Sequence, residues 1–131
     1  MSNDYEVFLK EWNLTEEAVQ EEMKKIPVLL GYLRDNVFLD SSDIAGIGLF
    51  AYRDFAEGEY LGKGAVYAGG ILMKTEIGRF INHSFEPNCI AALNENSFST
   101  YALKEIKKGE ELLMDYSHNL KSIRGNLCQD L

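Results

Sequence analysis

Cysteine is scarce in this 131-residue sequence, with only 2, at positions 89 and 128. That excludes the disulfide framework on which many small secreted domains depend, and neither cysteine lies in a CxxC pair. A reducing, cytosol-like setting is the resulting expectation. Long apolar runs are missing as well. No stretch approaches the roughly 20 apolar residues of a membrane span, and the opening MSNDYEVFLKEWNLTEEAVQ has neither the basic start nor the apolar core of a signal peptide. The expected location is therefore intracellular, cytoplasmic or nuclear, without a membrane partner. Positive charge is the third scarcity: 13 Lys and Arg stand against 21 Asp and Glu, a net of -8, and residues 1-40 hold 9 acids and 4 bases. Direct binding to nucleic acid is disfavoured, whereas a Lys- or Arg-rich peptide would be attracted. The same charge also serves to keep a small protein soluble.

What is present suits one folded domain. An apolar fraction of 46% argues against disorder, and the length allows one real core. Residues 1-35 read as a helical preface. Thr15 caps a helix that begins Glu16-Glu17-Ala18, with Val19, Met23 and Ile26 recurring on one side and Pro27 ending it. Trp12 and Leu14 sit where they can fold back on that face. This preface is expected to cover strand edges and core rather than to form a ligand site.

From residue 36 short apolar runs alternate with turn residues, as small strands do. They are Val37-Phe38-Leu39, Gly48 to Tyr52, Glu59-Tyr60-Leu61, Ala65-Val66-Tyr67, Cys89 to Leu93, Phe98 to Leu103 and Glu111 to Met114. Asn94-Glu95-Asn96 and Lys107-Lys108-Gly109-Glu110 have the composition of turns. The expectation is a mostly β domain over residues 36-118, with the helical extension 1-35 packed on it and a tail at 119-131. In that tail Leu120, Ile123 and Leu127 have a loosely helical spacing suited to closing a site or packing on a partner.

Two segments point to chemistry. Gly46-Ile47-Gly48 leads into a strand, and glycines at that spacing allow a tight turn or a close approach to a ligand. It is not a dinucleotide fingerprint, since the third glycine is missing. Gly78 to Cys89 contains Asn82-His83-Ser84 between an apolar dipeptide and Pro87. Polar groups in such a place must find partners, so the stretch organises a hydrogen-bond network that is either structural or built around a polar ligand. A hydrolase triad from Ser84 or Ser117, His83 or His118 and Asp115 lacks a nucleophile elbow. A zinc site from Cys89, Cys128, His83 and His118 lacks any compact ligand spacing, and each Cys is better read as a small apolar residue.

Taken together, Gly46-Ile47-Gly48-Leu49-Phe50-Ala51, Arg79-Phe80-Ile81-Asn82-His83-Ser84-x-x-Pro87-Asn88-Cys89, Tyr101-Ala102-Leu103-x-x-Ile106-x-x-Gly109-Glu110-Glu111-Leu112 and Asp115-Tyr116 resemble, in order, the signature blocks of the SET-domain protein lysine methyltransferases. The resemblance spans roughly residues 37-118. It implies a β-clip-like SET fold of several small sheets, with a C-terminal segment threaded in a pseudoknot-like way. It also implies an enzyme that moves methyl groups from S-adenosylmethionine to a lysine amine of a protein or peptide, a histone tail being one candidate. Ile47, Gly48, Leu49, Arg79, Asn82 and His83 would then face the cofactor, and Tyr116 would be catalytic. Tyr67, Met114 and Ala91 would line the lysine channel, with Tyr60 a rival to Tyr67.

The chain departs from that family in three ways. Only eleven residues separate Tyr67 from Arg79, so the usual substrate-binding insert is nearly absent. Recognition then falls to the preface, the tail or a second subunit, and exposed β edges make a homodimer an expectation. The cysteine-rich zinc tail is missing, and no metal is expected. Met114 stands two positions before Tyr116, where a hydroxyl-bearing residue often limits the number of methyl groups added. A thioether supplies no such donor, so the product is not expected to be held at one methyl group by this route. The rival reading is a SET-like module that binds peptide or partner with little or no methyl transfer.

Overall fold

A computed structural model of the protein describes residues 3-34 and 36-118. Along them run α1 (Asp4–Glu11), α2 (Glu16–Lys24), β1 (Val28–Leu29), β2 (Val37–Ser41), β3 (Ile47–Ala51), β4 (Tyr60–Ala68), β5 (Ile71–Thr75), α3 (Glu76–Phe80), β6 (Asn82–His83), β7 (Cys89–Asn94), β8 (Ser97–Ala102) and β9 (Glu111–Met114). The domain is mostly β with a helical N-terminal element, as the turn-bounded runs imply. No helix among the described residues is long and apolar enough to cross a membrane. Leu120, Ile123, Leu127 and Cys128 lie outside the described residues.

Helix α2 starts where the capping residue requires. Thr15 Oγ1 accepts the Ala18 N–H at 3.1 Å, and Glu16 and Glu17 lie at the positive end of the helix dipole with Lys24 at the other. The preface holds a second helix that no sequence signal delimits: α1 has no side-chain cap at Asn3. Eight residues are too few to be helical on intrinsic propensity, so α1 depends on packing through Phe8, which is 4% exposed.

The strands form one path in the order β1-β5-β4-β8-β7-β9-β3-β2, with β6 pairing β9 beside it. The runs 59-61 and 65-67 turn out to be one strand, β4, whose pairing with β8 slips between Tyr60 and Gly62 and again between Lys63 and Ala65. Those irregularities break the apolar alternation and make one strand read as two. The β7–β8 hairpin closes at Asn94 opposite Ser97, leaving Glu95 and Asn96 as a two-residue loop with Glu95 at φ 51°.

Between Tyr67 and Arg79, where the sequence shows only a short segment, lie β5 and the five-residue α3. Thr75, fully buried, joins them: its Oγ1 accepts from the Ile77 and Gly78 N–H groups and donates to the Lys63 carbonyl at 2.6 Å. A Cβ at Gly78 would stand 2.0 Å from the Gly64 carbonyl oxygen, so α3 can lie against β4 only with glycine there. The core beneath is built on Val37, Leu49, Phe55, Leu61, Ile106 and Leu112, each at most 1% exposed. Strand β9 crosses its centre, antiparallel to β3 and parallel to β6 and β7. The register sets His83 opposite Met114. The chain therefore leaves β9 beside His83, and Tyr116 follows two residues later.

Candidate active site

The parallel pairing of β6 with β9 determines what surrounds Tyr116. Its backbone N–H donates to His83 Nδ1 at 3.0 Å, so the neutral imidazole carries its proton on Nε2. Burial holds the His83 pKa below its ordinary value, against the opposing pull of Asp115, Asp4, the Met114 carbonyl and Glu11. Nε2 is buried and has no hydrogen-bond partner among the described residues. An orphan donor in such a place carries a desolvation cost that an acceptor on a bound molecule would remove. The Tyr116 hydroxyl donates a short hydrogen bond to the Ile81 carbonyl. Burial raises the phenol pKa, with Arg79 opposing and Glu111 and Glu16 adding to the shift. The Tyr116 hydroxyl is thus protonated at neutral pH, a hydrogen-bond donor and not a base.

Asn82, next to His83, secures the Gly46-Ile47-Gly48 turn. Its Nδ2 lies 3.1 Å from the Ala45 carbonyl, 3.5 Å from that of Ile47 and 2.9 Å from Glu111 Oε2. The Glu111 carboxylate also accepts from Ser42 Oγ at 2.8 Å. A Cβ at Gly48 would meet Glu111 Oε2 at 2.3 Å, which explains the glycine at the second position of the GxG. The rest of the polar segment is structural. Asn88 accepts from the Leu113 N–H at 2.8 Å and donates to the Glu111 carbonyl at 2.9 Å, bonding to β9 as another strand would. The Ser84 N–H donates to the Met114 carbonyl at 3.1 Å. Of the two alternatives the sequence left open, the structural one is seen in Ser84 and Asn88, which tie the chain to β9, while His83 faces a cavity.

That cavity has a volume of about 680 Å³, within the range of small-molecule sites. Seven of the ten residues singled out by the sequence line it: Ile47, Arg79, Asn82, His83, Ala91, Met114 and Tyr116. The other three lie elsewhere. Gly48 is buried under Glu111, and Leu49 is part of the core. Tyr67 packs its ring on Phe98 at 6.3 Å, and its N–H bonds the Asn96 carbonyl at 2.7 Å; Phe98 rather than Tyr67 is the cavity-lining partner. Its rival Tyr60 meets the Tyr101 ring edge-on at 5.7 Å and is exposed. The β4 irregularities set which face each of these tyrosines takes, and sequence alternation cannot register them.

The remaining wall comes from the preface. Phe8 approaches His83 at 5.0 Å and Tyr116 at 5.5 Å, ring to ring, and Tyr5 meets Tyr116 edge-on at 6.3 Å. Polar contacts fasten α1: Trp12 Nε1 donates to Ser117 Oγ at 3.0 Å, and Asp4 accepts from the Phe85 N–H at 2.9 Å and from Ser84 Oγ at 3.4 Å. From α2, Val19 and Met23 face the same space. The preface covers a sheet edge, through β1 beside β5, and buries Phe8, as expected; beyond that it walls the cavity. The i, i+3 spacing of Tyr5 and Phe8 was the available signal. Lys74 on β5 also lines the cavity, with no sequence signal to single it out.

Cys89, 1% exposed, behaves as a small core residue, and burial pushes its thiol up to about 12. Among the described residues no group of His, Cys, Asp and Glu has the arrangement of a metal site.

Residues 64-117 match the family model described as SET domain. The chain is 27% identical to the histone-lysine N-methyltransferase MEDEA of Arabidopsis thaliana, in an alignment covering 80% of this chain and 20% of that protein. A 47-residue stretch is 47% identical to the H3 lysine-4 specific histone-lysine N-methyltransferase of Schizosaccharomyces pombe, covering 33% of this chain and 5% of that one. The chain thus spans a fifth or less of the length of these two curated relatives. Among solved structures, polycomb repressive complex 2 of Chaetomium thermophilum, in an autoinhibited conformation bound to S-adenosylmethionine, has the same fold: TM-score 0.54 at 21% identity, over 70% of this chain and 17% of that one.

Proposed function

Because the chain belongs to the SET-domain family, we propose that it transfers methyl groups from S-adenosylmethionine to the side-chain amine of a lysine in a protein substrate, a histone or another basic protein. The observation that carries this reading is the convergence of Tyr116, the orphan Nε2 of His83 and the Asn82-bound glycine turn on one cavity. The buried donor and the Ala45-Gly46-Ile47 turn on the cavity wall fit a polar, adenosine-bearing ligand. When bound, such a donor supplies an electrophilic methyl on a sulfonium.

The chain's own contribution is alignment and exclusion of water. Ile47, Arg79, Asn82 and His83 hold the donor, with the backbone around Gly48 and Leu49 shaping the turn behind it. Ala91 and Met114 flank the amine's approach. The Tyr116 hydroxyl orients the amine, which must be neutral to react, while an apolar wall disfavours its ammonium form. With Phe98 in the cavity wall, Tyr67 contributes to the channel through Phe98 instead of lining it directly. Met114 places no hydroxyl near the amine and leaves room for more than one methyl group.

We read residues 36-118 as the catalytic domain, 1-35 as the extension that completes its wall and 119-131 as the tail. In this reading β9 and the turn after it are threaded in the knot-like way of the family, and a homodimer would cover exposed strand edges. The net charge of -8 suits a basic peptide and opposes direct nucleic-acid binding.

Transfer of labelled methyl to a panel of basic proteins tests the activity. Wild type should label at least one of them, and Tyr116→Phe should lower the rate about 100-fold or more, the typical cost of losing an orienting hydroxyl at a reaction centre. Undiminished labelling by the variant would remove Tyr116 from its role. Donor binding without transfer would instead favour a binding module.

A further inference from the structure

Two cationic side chains face the cavity, and among the described residues no acid pairs with either. Lys74 projects from β5, whose backbone is fixed by pairing with Ala65 on one side and Val28 on the other. Its Nζ has the Met23 sulfur at 3.6 Å as a hydrogen-bond contact, an acceptor too weak to match an ammonium group. Arg79, in the last turn of α3, has its guanidinium 5.5 Å from the centre of the Phe80 ring. Among the described residues no salt bridge involves Lys74 or Arg79. The two carboxylates on the cavity wall are committed elsewhere: Glu16 accepts from Gln20 at 2.7 Å, and Glu22 pairs with Lys25 at 3.1 Å.

Burial first, and the Arg79 charge second, lower the Lys74 pKa to about 8. The fold thus tolerates two like charges that repel one another on the wall of a largely apolar cavity. Replacing either with an apolar residue would relieve that cost, and an anion arriving between them would offset it. The kind of anion follows from the chemistry of the ligand. S-adenosylmethionine carries positive charge on its sulfonium and its amino group, and both would be repelled by this pair. Its carboxylate is its only negative group.

We propose that Lys74, together with Arg79, forms the subsite that receives the carboxylate of the methyl donor, and so sets which way the donor lies in the cavity. This inference rests on reading the cavity as the donor site. It adds a residue that no sequence motif contains, and it gives the short β5 strand a task besides bridging β4 and β1.

The test is a cycle of two ligands and two proteins read by calorimetry, with no turnover involved. The ligands are S-adenosylhomocysteine and its decarboxylated analogue, which lacks only the carboxylate. Wild type should bind the first about 10- to 100-fold more tightly than the second, the range expected for a charge-assisted contact in a partly buried site. Lys74→Met should lose most of that preference by weakening the carboxylate-bearing ligand alone, and Lys74→Arg should restore part of it. Equal weakening of both ligands, or no weakening of either, would overturn the assignment. A methyl group found on Lys74 by mass spectrometry after incubation with the donor would do the same, since the amine would then face the sulfonium and not the carboxylate. Wild type that binds neither ligand would overturn the donor-site reading itself, a result distinct from the others. The Met variant should fold at least as stably as wild type, so loss of structure does not confound the cycle.

Discussion

The two halves of the cavity wall are made in different ways. The half contributed by β3, α3, β6 and β9 is held by the backbone. Gly78 lies against the Gly64 carbonyl, Gly48 lies under Glu111, and Asn82 and Asn88 replace strand pairing with side-chain amides. The half contributed by α1 and α2 is held by side chains laid on from outside, chiefly the Phe8 and Tyr5 rings, the Trp12–Ser117 hydrogen bond and Asp4. Close backbone approaches tolerate almost no substitution. Ring contacts can be lost one at a time. The contrast teaches that the first half depends on close approaches that leave no room for larger side chains, whereas the second depends on contacts that can be weakened singly.

The comparison breaks most sharply at Gly78. A Cβ there overlaps backbone and not a side chain that can swing away, so Gly78→Ala should destabilise the domain by about 3 kcal/mol or more. Chemical denaturation checks it. A loss below about 1 kcal/mol would mean that α3 moves freely, and the two halves would not differ in kind.

On the preface side, Phe8→Ala should cost about 2–4 kcal/mol in stability, because the ring is 4% exposed and touches both His83 and Tyr116. The expected accompaniment is weaker activity from a less enclosed cavity, with the fold of residues 36-118 retained in the circular dichroism spectrum. Trp12→Phe is a smaller change. Losing the bond to Ser117 Oγ should reduce stability by about 1 kcal/mol and speed amide hydrogen exchange in α1 while leaving β9 protected. Equal loss of protection in both would show the preface and β9 to be one cooperative unit.

The smallest effect is a pH dependence. His83 is held neutral by burial, so its folded pKa lies below the unfolded value of about 6.5. The folded state then binds fewer protons than the unfolded one. The contribution of His83 is complete above about pH 6.5 and declines as pH falls through that value toward the lowered folded pKa. Unfolding midpoints of wild type and His83→Gln should therefore converge as the solution is acidified from pH 7.5 to 5.5. Parallel curves would mean that the imidazole titrates normally.

Part of this was legible before any coordinates. Thr15 identified the start of α2, the Asn94-Glu95-Asn96 turn identified a hairpin, and the four motif blocks identified the region of Tyr116. Such features depend on neighbours in sequence: a cap reaches three residues ahead, and a turn needs its own φ angles. The preface resisted because α1 has no cap and takes its helical form from contact with residues some eighty to a hundred positions away. Lys74 resisted because it lies in no motif, and its position on the cavity wall with no acid paired to it among the described residues is something sequence cannot display.

By itself the sequence determined the kind of domain, the order of its main strands, the glycines that permit close approach and the tyrosine that follows β9. Each of these is written in local composition or in spacing along the chain. Only the tertiary structure decided that the preface walls the cavity, that Phe98 and not Tyr67 lines it, and that Lys74 and Arg79 both line it. Those outcomes depend on strand register and on packing between distant segments, where a slip of one residue turns a side chain to the opposite face of its sheet.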